Sequence, residues 1–150
     1  MDNTQRQLRI YFLCGQNRCR SQIAEVFVKA LGRDDIIVRS AGLDPSTLHP
    51  LTAQAMQELG IDISENQSKK IDMKFFMSAT VIIKLCDEIQ ERCPIVPFGI
   101  RNEHWNIKDP LAGGNASIDQ VREARDEIQE KVIKLLQKYN ALADKSLTIN

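Results

Sequence analysis

The chain has 150 residues, 43% hydrophobic and 27% charged, which fits one globular domain that buries a core without cross-links. Its 20 Lys and Arg balance 20 Asp and Glu, with no long basic run, so neither nucleic acid nor an acidic membrane surface is expected as a partner. The apolar run Ile10–Leu13 is too short for a signal segment or a membrane span. A cytoplasmic protein is therefore expected, whose four cysteines are catalytic, redox-active or metal-binding rather than disulfide-bonded for structure.

In chain order, Leu8–Leu13 reads as a buried strand ending at Cys14. Ile23, Ala24, Phe27, Val28 and Leu31 recur at helical spacing over Ser21–Leu31, with Gly32 as the stop. Ile36–Arg39 is a β-branched run closed by Ala41-Gly42. Pro50 opens a helix that turns Leu51, Ala55, Met56 and Leu59 inward and ends at Gly60; His49 caps or precedes it. Lys69–Met77 reads as a shorter helix, Val81–Ile83 as a buried strand running to Leu85-Cys86, and Ile95-Val96 as a minimal fourth strand between two prolines. Residues 99–115 read as an irregular loop. Ser117 with Gln120 forms a capping-box pattern that opens a long amphipathic helix carrying Ile118, Val121, Ile128, Val132, Leu135 and Tyr139. Arg122, Glu123, Arg125 and Glu130 are read as its solvated face, and the tail after about residue 140 as frayed.

Strands alternating with helices predict a single α/β domain over residues 1–150, with a four-stranded parallel sheet flanked by helices. Ligands of such sheets bind beyond the carboxyl ends of the strands. Cys14, Cys86 and Asp109 follow the first, third and fourth strands, so three reactive side chains converge on one edge.

The segment Cys14-Gly15-Gln16-Asn17-Arg18-Cys19-Arg20-Ser21 lies between a strand and a helix start. Such a loop aims backbone N–H groups and the positive end of the helix dipole at one spot, which suits an anion. The same field favours the thiolate of Cys14, the nucleophilic form. Arg20 can grip two oxygens of the anion with its planar fork, and Ser21 can donate to the thiolate. A Cys-x5-Arg pattern alone is common, and a buried strand-end cysteine is its plain structural reading. Its place between strand and helix, followed by Ser, tips the balance to chemistry. Cys19 suits packing. Neither Cys14 with Cys19 nor Cys86 with Cys93 has the spacing of a zinc ligand pair, and a redox pair is the better reading of the second. Asp109, before Pro110, suits a general acid. His104 and Trp105 read as loop packing.

This loop resembles that of the low-molecular-weight tyrosine phosphatases, and more closely that of the thioredoxin-coupled arsenate reductases that share their fold, which read Cys-Thr-Gly-Asn-Ser-Cys-Arg-Ser-Gln. Ser40-Ala41-Gly42, Gly60–Ser64, Leu85-Cys86, Cys93-Pro94, Glu103-His104-Trp105, Asp109-Pro110, Val121-Arg122 and Asp126-Glu127-Ile128 extend the similarity over about residues 8 to 137. The resemblance implies a phosphatase-like topology and reduction of arsenate to arsenite. In it Cys14 attacks, Arg20 holds the oxygens and Asp109 protonates the departing one. Cys86 then attacks Cys14, Cys93 resolves that disulfide, and thioredoxin reduces the Cys86–Cys93 bond, with no cofactor required. If residues 86–93 form a helix, as the composition of Asp87–Arg92 suggests, its ends lie roughly 10 Å apart. A disulfide needs Cα atoms about 4.4–6.8 Å apart, so closing it would unwind the segment.

Gly15, Gln16 and Arg18 depart from that pattern, and Gln16 would be costly if its position needs a positive φ. Some relatives hold potassium beside the loop. Asn17, Glu25 and Ser40 match that site, but Gln67 and Lys69 do not, and Lys69 can stand in for the ion, so no metal is expected. Two other readings stay open. One is a phosphatase acting on phosphotyrosine or small phosphate esters through Cys14, Arg20 and Asp109; the other is a redox sensor or oxyanion-binding protein without turnover. Few aromatics, chiefly Phe98 and Trp105, are near enough in sequence to clamp a phenyl ring, which favours a small inorganic substrate.

Overall fold

The computed structural model describes residues 7–85, 93–112 and 115–143. Strand β1 (Arg9–Cys14) lies at the centre of a parallel sheet with β2 (Ile37–Gly42) on one side and β3 (Val81–Lys84) on the other; β4 (Arg101–His104) completes the order β2-β1-β3-β4. A central strand is covered on both faces, which is why Ile10, Tyr11, Phe12 and Leu13 form an unbroken apolar run and are all buried. The chain leaves β1 toward β2 and later returns to β3 on the opposite side. The carboxyl end of β1, where Cys14 sits, is thus a switch point of the kind where α/β sheets bind ligands.

Helix α1 (Arg20–Leu31) packs on β1 and β2 and against the long helix α4 (Ile118–Lys138); α4 also carries α2 (Pro50–Gln57), and α3 (Met73–Ser78) packs on β1. The expected caps form. His49 accepts from the Leu51 N–H, and Ser117 and Gln120 make both bonds of the capping box. Among the described residues no helix is long and apolar enough to cross a membrane.

Four expectations need correction. The fourth strand is Arg101–His104, not Ile95-Val96. Pro94 and Pro97 remove ladder donors around the latter pair, and Ile95 is 92% exposed. An edge strand buried on few sides needs no apolar run, and its charged residues discourage pairing with other chains, so β4 hid inside a polar segment. Helix α3 starts at Met73 rather than Lys69 because Lys70 is bridged to Gly42 and Asp72 caps the helix through the Lys74 and Phe75 amides. Arg122 and Arg125 are not simply solvated. Arg125 is buried, donating to the Ala55 carbonyl and to Glu58, which Arg122 also grips, so the pair clamps the end of α2 onto α4. The tail does not fray at once, and its residues 144–150 lie outside the described residues. Ala141 accepts from the Arg33 N–H, Leu142 bridges Gly32, and the Ala143 N–H donates to Leu31. The helix suggested for residues 86–93 falls, apart from Cys93, outside the described residues.

The two arginines hold the Glu58 carboxyl down to about 2, from an ordinary 4.5, chiefly through the hydrogen bonds from Arg122 and then Arg125. A lowered carboxyl adds stability above its unfolded value and loses it as pH falls toward the folded one. Glu58→Gln should therefore melt below wild type at pH 7, and the gap should close between pH 4.5 and 2 in thermal melts. Glu58 is at the surface, so the gap should also shrink at high salt. Parallel melting curves at all pH values would rule the clamp out.

Candidate active site

The loop between β1 and α1 is held from outside by its carbonyl oxygens. The Cys14 carbonyl accepts from the Leu43 N–H (3.3 Å), Gly15 from Asp44 N–H (2.9 Å), and Gln16 from Ser46 N–H (3.1 Å) and the Ser68 hydroxyl (2.6 Å). The Asn17 carbonyl accepts from the Gln22 amide, and Arg18 from His49 N–H and the Thr52 hydroxyl. Five consecutive carbonyls thus have partners in the surrounding protein, and a peptide that turns its carbonyl outward turns its N–H inward. No side chain caps the N-terminus of α1, where Cys19 is the cap residue, so no cap side chain competes with an anion for the first helical amides. The cavity is about 180 Å³, lined by Cys14, Gly15, Gln16, Arg18, Cys19, Arg20, Leu43, Asp44 and Asp109. That is far more than the roughly 10–15 Å³ that holds a single water, and it admits a tetrahedral oxyanion.

The backbone amides were expected to bind the anion and the Ser21 hydroxyl to meet the Cys14 sulfur. The Asn17 and Ser21 side chains are both buried behind Cys14, as braces, and Ser21 is at that sulfur. The Asn17 N–H donates to Cys14 Sγ at 3.2 Å, and Ser21 Oγ lies 2.8 Å from the same sulfur. Ser21 Oγ accepts from the Asn17 side-chain amide (2.7 Å), and its own proton is available to a Cys14 thiolate. Asn17 also donates to Ser40, whose hydroxyl donates to the buried Glu25 carboxylate at 2.5 Å. The residue with positive φ is Asn17 (φ 51), not Gln16, so Gln16 carries no such cost; asparagine tolerates this conformation better than most residues.

Potassium does not fit beside this loop. The Lys69 ammonium lies 3.7 Å from Glu25 and donates to the Gln67 carbonyl at 3.2 Å, while Lys29 pairs with the other Glu25 oxygen at 3.0 Å. The Lys69 N–H donates to the Asn17 side chain, which ties this partly exposed cation to the loop.

At the front, Arg20 is anchored by Nη1, which donates to the carbonyls of Ile107 (2.8 Å) and Leu85 (3.3 Å). The Asp109 carboxylate lies 3.8 Å from Arg20 and 3.9 Å from Arg18, and is oriented by the Leu111 N–H. Burial pushes the Cys19 thiol up to about 11, so it stays protonated at neutral pH and suits packing. Cys93 is half-buried, its thiol raised by burial, and it does not line the cavity. Cys86 lies outside the described residues, although the carbonyl of Leu85 just before it touches Arg20. Among the described residues the cavity wall has no aromatic ring. Trp105 is buried against Phe12, and Phe98 is fully exposed and does not line the cavity. The pinning residues 43–49 had no chemical signature in sequence; Gly42, in Ser40-Ala41-Gly42, was the available signal.

A Cβ on Gly42 would lie 2.7 Å from the Asn17 nitrogen and within 2.9 Å of Gln16 and Gly15 backbone atoms, none of which can swing away. Gly42→Ala should therefore displace the loop. We expect a stability loss of about 1–3 kcal/mol, as for other overpacked sites, and an affinity for phosphate at least about tenfold weaker, since the amides must converge to bind. Isothermal titration with phosphate and thermal melts would check this; wild-type affinity in the variant would show that the close approach is unimportant.

Residues 9–146 match the family described as low molecular weight phosphotyrosine protein phosphatase. The arsenate reductase of Bacillus licheniformis is 39% identical over 126 residues, covering 82% of this chain and 91% of that protein. A solved structure of an arsenate reductase in a phosphate-binding state superposes with a TM-score of 0.73 at 34% identity, covering 88% of this chain and 98% of its own. The thioredoxin-dependent arsenate reductase of Corynebacterium glutamicum also superposes at 0.73, at 25% identity, covering 91% of this chain and 64% of its own. With its topology, its loop and nearly its whole length in agreement, the chain belongs to the low molecular weight phosphotyrosine protein phosphatase family.

Proposed function

We propose that this protein is a cytoplasmic, single-domain arsenate reductase coupled to thioredoxin. The observation that carries the reading is a small polar cradle walled by Arg18, Arg20 and Asp109, without an aromatic ring among its described lining residues, in a chain that also has Cys86 and Cys93. Relatives bearing the name arsenate reductase, one of them thioredoxin-dependent, support it.

The Cys14 thiolate attacks arsenic(V) while inward amides and Arg20 hold the remaining oxygens. Asp109 protonates the departing oxygen, which leaves as water, and an S–As bond replaces the As–O bond. The Cys86 thiolate then attacks Cys14 Sγ. The S–As electron pair returns to arsenic, which leaves as arsenite, and a Cys14–Cys86 disulfide forms. Cys93 attacks Cys86, which frees Cys14 and yields a Cys86–Cys93 disulfide for the dithiol of thioredoxin to reduce. Two thiols lose two electrons, and arsenic gains two.

The family assignment keeps a second reading in view, hydrolysis of a phosphate ester by Cys14, Arg20 and Asp109 alone. Assays with both substrates, each beside thioredoxin, separate the readings. Cys14→Ser should lower every activity by about a thousandfold or more, because a serine hydroxyl is hardly ionised here. Cys86→Ser should abolish arsenate turnover yet leave any ester hydrolysis within about twofold, since no electrons pass in hydrolysis. Absence of arsenite from the wild type with thioredoxin present would make the phosphatase the better reading, and no turnover of either substrate would leave a sensor or binding protein.

A further inference from the structure

Two arginines, not one, reach the carboxylate at the mouth of the cradle. Arg20 Nη2 and Arg18 Nη2 lie 3.8 and 3.9 Å from the same oxygen, Asp109 Oδ2. Their settings differ. The Arg20 side chain is 8% exposed and pinned to two carbonyls, so it belongs to the floor. The Arg18 side chain is 29% exposed at the rim, while its backbone carbonyl is fixed by His49 and Thr52. Arg18 is therefore a cation on a firm base with a partly exposed end.

In an in-line displacement at a tetrahedral centre the nucleophile and the departing oxygen lie on opposite sides. With Cys14 as nucleophile and Asp109 as acid, the oxygen nearest Asp109 is the one that departs, and Arg18 stands beside it. In a free oxyanion that fourth oxygen is a hydroxyl or carries charge, and a guanidinium can donate to it. In a monoester it carries carbon, and a charged rim arginine would have to be pushed aside or lose water for an apolar group.

We propose that Arg18 is a specificity-determining residue that selects the unesterified tetrahedral oxyanion over its organic esters by binding the departing oxygen. Asp109 Oδ2 lies 3.9 Å from the Arg18 guanidinium, a separation at which an entering dianion can compete for it. The inference rests on the oxyanion-attacking role given above to Cys14, but not on reduction.

Phosphate and methylphosphonate differ only at the fourth substituent, oxygen against methyl. Alkylation of Cys14 by iodoacetamide, followed by peptide mass at fixed pH and ionic strength, gives the concentration of each anion that half-protects the thiol. In the wild type phosphate should protect at about a tenfold lower concentration than methylphosphonate, the usual scale for a charged hydrogen bond. In Arg18→Ser the phosphate midpoint should rise by about tenfold and that of methylphosphonate by less than about threefold, erasing the preference. Arg18→Lys, which keeps the charge but not the fork, should restore part of it. Thermal melts of both variants report folding. Equal weakening of both anions, or no change in either, would overturn the proposal, as would a wild type in which neither anion protects Cys14. The assay uses no reductant. An erased preference in a protein that never makes arsenite would sink the reductase reading alone, and arsenite production with the preference unchanged would sink the Arg18 claim alone.

Discussion

The peptide planes of the Cys14–Arg18 loop can face only one way. Each of the five carbonyls is held from outside, by the connection after β2, by α2, by Gln22 and by Ser68, so the amides are committed to the hollow. Binding an anion there requires no reorganisation of dipoles, and such preorganisation makes oxyanion stabilisation effective. The arrangement depends on Gly42, which lets β2 end within van der Waals reach of the loop backbone, and on Asn17, which accepts the left-handed turn. Much of the local hydrogen bonding serves this single task.

Charge is divided between back and front of the nucleophile. Behind Cys14, Ser21, Asn17 and Ser40 end on a buried Glu25 whose charge is met by Lys29 and Lys69. A buried carboxylate is costly unless paired and hydrogen-bonded, and here it is both. In front, Arg18, Arg20 and Asp109 face the cavity at wider separations near 3.8 Å, so an incoming anion can replace the carboxylate as their partner. The rear network is tight and holds geometry; the front is looser and can exchange partners.

Strong apolar patterning and capping chemistry were readable from the residues alone. β1, α1, β3 and the Ser117 cap are all where periodicity and cap rules put them, because burial on two faces or on one helical stripe leaves a direct trace in sequence. β4 left no such trace, being a polar edge. Arg125 was legible in principle, since it falls four residues after Val121 and three before Ile128 on the buried stripe, but its charge masked its place. At the site, Cys14 and Asp109 meet at one cavity with Arg20, while Cys86, the third residue expected on that edge, lies outside the described residues. The bracing group of Asn17, Glu25, Ser40 and Lys69 was legible only through the family resemblance, because it depends on contacts between residues distant in sequence that periodicity and spacing do not report.

The central claim is that Cys14 passes two electrons to an oxyanion through an internal disulfide. A single-turnover experiment tests it most directly, with fully reduced protein, excess arsenate and no thioredoxin, followed by arsenite determination and disulfide mapping by peptide mass. The account predicts one arsenite per chain, a Cys86–Cys93 disulfide and a free Cys14 thiol. All four cysteines remaining reduced with no arsenite formed would contradict it.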